Sequence, residues 1–457
     1  MSKDWDDVRQ ECGEIQTAKL AIESAYIPEL LDESTSELSA PRNIDFDLSS
    51  RNRPKQTKRN LKALLNAYNI TVRYNLIKKM VEVVGPGMHF TPDNYEEASR
   101  TEVISLCHDH EMPVSHVHDY LTVIADENQF NPMKEFLESR PWDGISRIDE
   151  LMQTINTKSN DIRDSMLRKW MIGCVRSWLS VDGMATPIIL VLQGAQGIGK
   201  DRWCKALFPK SMSDYILEGH SVHPHNKDSL INAVRHAITI LSELGASNQR
   251  RTQDDFKAWI TTDKDKIRLP FGRAERVMPR RVAMIATVNE LDFLKDDTGN
   301  RRFAPLELVD INADHGIDMQ QLWAEVYELS KGPDQIHWLT QEEIIHLQKH
   351  NEQFEETSSV EERIFRMYDW EAPRKRFVTA TEICQEIGIQ NPSRTEMNQA
   401  SKGARRCLEL ERNAYSKRGR NGERFFLFPD RPNVSWSDVG QTLGRPSQPS
   451  VYGDHRE

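Results

Sequence analysis

The stretch Leu190-Val191-Leu192-Gln193-Gly194-Ala195-Gln196-Gly197-Ile198-Gly199-Lys200-Asp201 constrains this chain more than any other. It is an apolar run that enters a glycine loop and leaves it at a lysine. Such a run suits a strand buried on both faces, as in a parallel sheet, with a helix after the loop. Strand, glycine loop and helix together make a cradle for phosphate. Backbone N–H groups converge on the anion, glycines let the chain approach it, and the lysine reaches the outer phosphates. Gly194, Gln196, Gly197, Ile198, Gly199, Lys200 and Asp201 are therefore the candidate nucleotide-binding residues, with ATP as the expected cofactor. The pattern breaks at its last position, where Asp201 stands in place of the Ser or Thr whose hydroxyl ligates Mg2+.

Ala237-Ile238-Thr239-Ile240-Leu241 and Val282-Ala283-Met284-Ile285-Ala286-Thr287-Val288 are two more apolar runs that end in polar residues. With the first, they predict an α/β nucleotide-binding P-loop core over residues 156–350. The run at 237–241 leads into Ser242-Glu243-Leu244, where P-loop ATPases carry an acidic pair that holds Mg2+ through water and polarises the attacking water. Glu243 is the candidate general base, and Asp201, Ser242 and Glu243 are the candidate Mg2+ ligands. Asn289 follows the other run and suits a residue that holds the lytic water and senses the γ-phosphate; turn formation is its bland alternative. After the turn at Gly299-Asn300 come Arg301 and Arg302, planar permanent cations suited to a transferring phosphoryl group, often one bound by a neighbouring subunit.

At 457 residues the chain exceeds a single core and divides into several regions. Residues 1–55 are polar and aperiodic and read as a disordered arm, and residues 56–155, with Leu61, Leu64, Leu65 and Tyr68 at helical steps, as a helical N-terminal domain. Cys107, His108, His110, His116 and His118 lie within it but lack paired zinc-ligand spacing. Thr379-x-x-Glu382 and Ser393-x-x-Glu396 have capping-box form and predict two helices, and Asn421-Gly422 predicts a hairpin turn after them. Helix, helix and basic hairpin make residues 351–430 a C-terminal winged-helix domain; 431–457 read as a disordered tail. The cysteines have no paired spacing, no apolar run approaches the ~20 residues of a membrane span, and the N-terminus lacks a signal-peptide pattern. A cytoplasmic protein with no membrane partner is expected.

The formal charge of −10 argues against a wholly DNA-binding surface, but basic residues cluster. Lys266, Arg268, Arg273 and Arg280, with Phe271 at the centre, lie between Glu243 and Asn289, where a ring helicase places its pore loop. Cations there neutralise phosphates and an aromatic stacks between bases of single-stranded DNA. In the tail domain Arg394, Lys402, Arg405 and Arg406 would lie on the second helix, and Lys417, Arg418 and Arg420 on the wing, an arrangement for duplex DNA. A solvated basic face is the plain alternative for both clusters.

In their order, Asn131-Pro132-Met133 through Arg140-Pro141-Trp142-Asp143-Gly144, then Gln193 to Lys200, Ser242-Glu243-Leu244, Arg268-Leu269-Pro270-Phe271-Gly272-Arg273, Pro279-Arg280-Arg281, Thr287-Val288-Asn289-Glu290 and Gly299-Asn300-Arg301-Arg302-Phe303 resemble the virulence-associated protein E family. The resemblance runs over roughly residues 60–310. It implies an AAA+-like P-loop ATPase of prophages and genomic islands, similar to superfamily 3 helicases: a homo-oligomeric ring, hexameric in expectation, that uses ATP and Mg2+ to move on DNA during replication of a mobile element. Two other readings fit the same residues, an oligomeric nucleotide-binding switch or defence NTPase without unwinding, and a DNA-binding scaffold whose ATP site has decayed. Asp201 bears on the choice. Asp201 with Ser242 preserves the carboxylate and hydroxyl of the usual Ser/Thr with Asp; alternatively its charge opposes ATP binding.

Overall fold

Thr71-Val72-Arg73-Tyr74-Asn75 and Met80-Val81-Glu82-Val83-Val84 alternate or cluster β-branched residues, which favours pleated strands over helix. The computed structural model of the protein describes residues 44–186, 188–242, 250–268, 275–294, 300–333, 336–355, 357–370, 372–408, 416–419 and 424–430. In it these segments form an antiparallel pair, β1 (Thr71–Asn75) and β2 (Met80–Val84), with β3 (Gln129–Phe130) parallel to β1. The N-terminal region is thus mixed and not purely helical. Helices α1 (Lys58–Ala67), α2 (Tyr95–Asp109) and α3 (Val117–Glu127) share with the sheet a core that includes Leu61, Leu64, Val72, Val83, Leu106 and Leu121. Helical periodicity in the flanking segments masked the short hairpin between them.

Of the arm, residues 1–43 lie outside the described residues, and the rest is fastened to this core. Buried Asn60 donates through Nδ2 to the carbonyls of Asp47 and Lys55 at 2.8 and 2.9 Å and accepts from the Asp47 N–H at 2.8 Å. Cys107 is buried, which pushes its thiol up to about 12, and His110 Nε2 meets the Tyr68 hydroxyl at 2.9 Å. Among the described residues no group of three or more His, Cys, Asp or Glu side chains could hold a metal ion. The zinc reading of residues 107–118 therefore has no site.

The chain divides into two compact units, Met1–Glu355 and Glu356–Glu457. The first is built on a six-stranded sheet of order β4-β11-β5-β10-β7-β6. Its members are β4 (Ile155–Thr157), β5 (Ile189–Gln193), β6 (Ile216–His220), β7 (Ile238–Ser242), β10 (Ala283–Val288) and β11 (Phe303–Ile311). All neighbours are parallel except the edge strand β4, which runs antiparallel to β11. Alternate residues serve opposite faces, as the pleat requires. Leu190, Leu192, Ile240 and Ile285 pack toward the long helix Asn160–Leu179 and the helix Met319–Lys331, whereas Ile189, Val191, Leu241 and Met284 pack with Leu230, Ile231 and Trp259.

Large indoles fill the first of these cores without leaving a donor unmet, as buried Trp requires. Trp170 Nε1 donates to Met284 O and Trp178 Nε1 to Ala237 O, each at 2.8 Å, while Trp323 Nε1 donates to Leu207 O at 2.6 Å. The segment Arg140 to Ile148, part of the motif series above, is held by the helix Met319–Lys331. Arg140 pairs with Asp318 at 2.7 Å, and buried Glu325 accepts from Ser146 Oγ at 2.7 Å and from the N–H groups of Arg147 and Ile148 at 2.6 and 3.2 Å. That motif is architectural here.

The second unit contains helices Ser359–Met367, Ala380–Glu386 and Arg394–Cys407 and an antiparallel three-stranded sheet of order β12-β14-β13, made by β12 (Arg376–Thr379), β13 (Ser416–Arg418) and β14 (Arg424–Phe428). The capping boxes at Thr379/Glu382 and Ser393/Glu396 form, and another at Ser358/Glu361 opens a helix ahead of them. Ile364, Val378, Ile383, Ala404, Phe426 and Phe428 make its core. Gly403 permits the first and third helices to touch, because a Cβ there would lie 3.1 Å from Glu361 Cα. The tail at 431–457 lies outside the described residues.

Candidate functional site

The glycines of the loop after β5 are dictated by backbone geometry. Gly197 and Gly199 have φ of 83° and 102°, a region that L side chains rarely adopt. Gly194 is closed by space instead: a Cβ there would sit 2.9 Å from Ile198 Cδ1 and 3.1 Å from Leu308 Cβ. Gly199 then caps the helix Lys200–Lys205. Gln196 is exposed on the crest of the loop and Ile198 is half-buried against the core.

Lys200 is 7% exposed and threads under the loop. Its Nζ donates to Gly194 O at 2.7 Å, to Ala195 O at 2.8 Å and to Asn289 Oδ1 at 2.8 Å. Burial holds the Lys200 pKa below the ordinary lysine value, with the Asp201 carboxylate acting in the opposite direction. Asn289 is itself tied back to the loop strand, since Gln193 Nε2 donates to Asn289 O at 3.3 Å. Two residues singled out independently, 89 positions apart, thus meet at the C-terminal end of the sheet.

Asp201 is oriented by a residue with no expected role. Thr287 Oγ1 donates to Asp201 Oδ1 at 2.8 Å, and Thr287 is the cross-strand partner of Ser242. Asp201 and Ser242 therefore flank the same point on the sheet. Glu243 lies outside the described residues. Asp201 and the hydroxyl of Ser242 are oxygen ligands of the kind that suit Mg2+, which is commonly held by one or two carboxylates together with substrate phosphates. The loop, Lys200 and this donor set fit a nucleotide with its divalent cation.

Arg301 and Arg302 occupy a different place. In the parallel β11–β5 ladder Phe303 pairs with Ile189 and Glu307 with Gln193, so the arginines precede the end of the sheet opposite the glycine loop. At about 3.3 Å per residue they stand roughly 15–20 Å from that loop, farther than an arginine side chain extends. Arg301 is exposed; Arg302 is half-buried, and burial followed by the Arg301 charge holds its pKa below the usual arginine value. The structure does not bring them to the loop of their own chain.

The basic stretch forms a hairpin of β8 (Lys264–Ile267) and β9 (Arg276–Pro279). Lys266 and Arg268 are exposed on it, while Phe271 and Arg273 lie outside the described residues. Arg280 is not a surface contact. It is 0% exposed, pairs with buried Asp265 at 2.6 Å, donates to Trp259 O at 2.6 Å and to Thr262 Oγ1 at 2.8 Å, and stacks 4.3 Å from the Trp259 ring. A guanidinium so desolvated holds the hairpin base and has no face left for DNA. Lys79, buried in the turn after β1, donates to Pro279 O at 2.8 Å.

In the second unit Arg394 and Arg405 are exposed on the helix Arg394–Cys407, Lys402 is half-buried, and Arg406 turns toward buried Glu361 at 3.6 Å. Arg418 is exposed at the end of β13, where Lys417 also lies in the chain, and Arg420 falls outside the described residues.

A central parallel sheet flanked by helices, with a glycine loop at the C-terminal end of one strand, defines an α/β protein. Residues 137–356 match the family model of the virulence-associated protein E-like domain. The match begins later than the motif series and ends at the boundary of the first unit. No curated protein matches the chain. Among solved structures, the A form apo structure of the NrS-1 C-terminal region aligns at 12% identity with a TM-score of 0.39, covering 80% of this chain and 98% of that one. Another apo structure of the same region aligns at 11% identity with a TM-score of 0.41, over 80% and 98%. No helix among the described residues is long and apolar enough to cross a membrane.

Proposed function

We propose that the protein is an ATP- and Mg2+-dependent P-loop ATPase, AAA+-like, that acts on DNA in the replication of a prophage or other mobile element. The observation that carries this reading is the meeting of Lys200 with Asn289 beneath a loop whose glycines hold left-handed or crowded backbone positions. Strand β10, which Asn289 directly follows, lies between the loop strand β5 and β7, which ends at Ser242 ahead of Glu243. Gly194 to Lys200 would hold the phosphates, Asp201 and Ser242 the cation, Asn289 the attacking water, and Glu243 would act as general base. Bound ATP with Mg2+ supplies the phosphoryl group and its charge neutralisation.

The position of Arg301 and Arg302 favours an assembly in which they meet the nucleotide of a neighbouring copy, the ring geometry that the family resemblance implies. The β8–β9 hairpin, with Lys266 and Arg268, would then face single-stranded DNA. The second unit, a winged helix in this reading, would offer Arg394, Lys402, Arg405, Lys417, Arg418 and Arg420 to duplex DNA.

ATP turnover with and without single-stranded DNA, followed by strand displacement on a forked duplex, tests the proposal. DNA-stimulated turnover lost in Lys200→Ala supports it, and turnover that survives Lys200→Ala refutes the site. Hydrolysis without strand separation would instead favour a nucleotide switch. DNA binding with neither hydrolysis nor nucleotide affinity would favour a scaffold with a decayed site.

A further inference from the structure

An aspartate beside bound phosphates repels them unless a cation stands between the two charges. Asp201 is exposed at the first turn of its helix and forms no ion pair among the described residues. Its carboxylate would swing freely but for one contact, the hydroxyl of Thr287 at 2.8 Å from Oδ1. That donor is rigid. Thr287 is 8% exposed, lies in a strand paired on both sides, and has the restricted χ1 of a β-branched residue. Anchoring Oδ1 leaves Oδ2 for another partner, and Thr287 is itself the cross-strand partner of Ser242.

We infer that Thr287 is a positioning residue that makes Asp201 a ligand for a divalent cation at the nucleotide site. This rests on the proposed nucleotide site and extends it to a residue outside the loop. The hydroxyl missing at position 201 is thereby replaced in two parts: Asp201 contributes the metal-binding oxygen, and Thr287, from the next strand, its orientation. The arrangement makes nucleotide affinity depend steeply on the cation, because without it the anchored carboxylate faces the phosphates.

The test is the affinity of the full chain for a fluorescent ATP analogue, measured in Mg2+ and in EDTA. Wild type should bind about tenfold or more tightly with Mg2+, and Thr287→Val should shrink that increment about 3- to 10-fold, the scale of one ordinary hydrogen bond near solvent. Thr287→Ser should restore it. In the Asp201→Asn background, Thr287→Val should cause little further loss, since the two act as a unit. An undiminished Mg2+ increment in folded Thr287→Val, or losses that add, overturns the inference while leaving the nucleotide site standing. If Thr287→Val fails to fold, Thr287→Ser and Asp201→Asn decide: the increment should survive the first and fall in the second, and any other pattern overturns the inference. Absence of wild-type binding in either buffer refutes the site itself and the inference with it.

Discussion

Replacing Arg280 with Ala should cost the first unit about 3–5 kcal/mol, the range for removing one partner of a buried ion pair. The structure explains the size of that loss. The guanidinium is wholly buried, and Asp265, 6% exposed, would keep its charge while retaining the Trp259 Nε1–H at 2.8 Å as a donor. Stacking over Trp259 and the bonds to Trp259 O and Thr262 disappear with it. In a thermal melt this corresponds to a drop of roughly 4–7 °C for a unit of this size. Arg280→Met with Asp265→Leu should recover most of it, because no buried charge is then stranded. Lys266→Ala on the same hairpin should change stability by less than about 0.5 kcal/mol, as exposed sites do. The reasoning is refuted if Arg280→Ala melts with wild type yet binds DNA less well, since Arg280 would then be a contact residue and not a clamp.

Gly199→Ala, forced into φ of 102°, should weaken ATP-analogue binding about tenfold or more while lowering the melting temperature only slightly; unchanged binding would show that the loop does not cradle phosphate. Burial, then the neighbouring Arg281, pushes the Lys79 pKa down to about 7 from 10.5. The folded state therefore binds fewer protons than the unfolded state between those values, and stability should rise with pH across that window. Lys79→Met should flatten that rise in melts taken from pH 7 to 9 and should gain most over wild type near pH 6. Arg376 clasps Glu386 through two bonds of 2.6 Å, and the Tyr368 hydroxyl donates to the same carboxylate at 2.5 Å; Glu386→Ala should destabilise the second unit by about 1–3 kcal/mol, seen as faster hydrogen exchange in β12 and β14.

Features set by neighbouring residues were legible in the chain. The strand, glycine loop and lysine follow from a local pattern, and so do the capping boxes at Thr379 and Ser393. Ser358-x-x-Glu361 carried the same signal and marks a helix that the sequence reading passed over. What escaped depended on distant partners. Whether Arg280 meets DNA or Asp265 is decided by packing across a hairpin, and the bond from Thr287 to Asp201 joins positions 86 apart through strand register. The β1–β2 hairpin was hidden by its brevity between helical segments. Arg301 and Arg302 were readable as cations near a turn, but only the β11–β5 register places them at the far end of the sheet.

That separation has a consequence for mixtures. If Arg301 and Arg302 serve the proposed nucleotide site, a chain with its loop at one end of the sheet and its arginines at the other would complete that site head to tail, each contact drawing its halves from different copies. Lys200→Ala chains and chains carrying Arg301→Ala with Arg302→Ala would each be silent alone. Co-assembled at random in equal amounts, roughly a quarter of their contacts would join an intact loop to intact arginines. Two dead proteins would then turn over ATP together, and their continued silence would mean that the two edges of the sheet never meet.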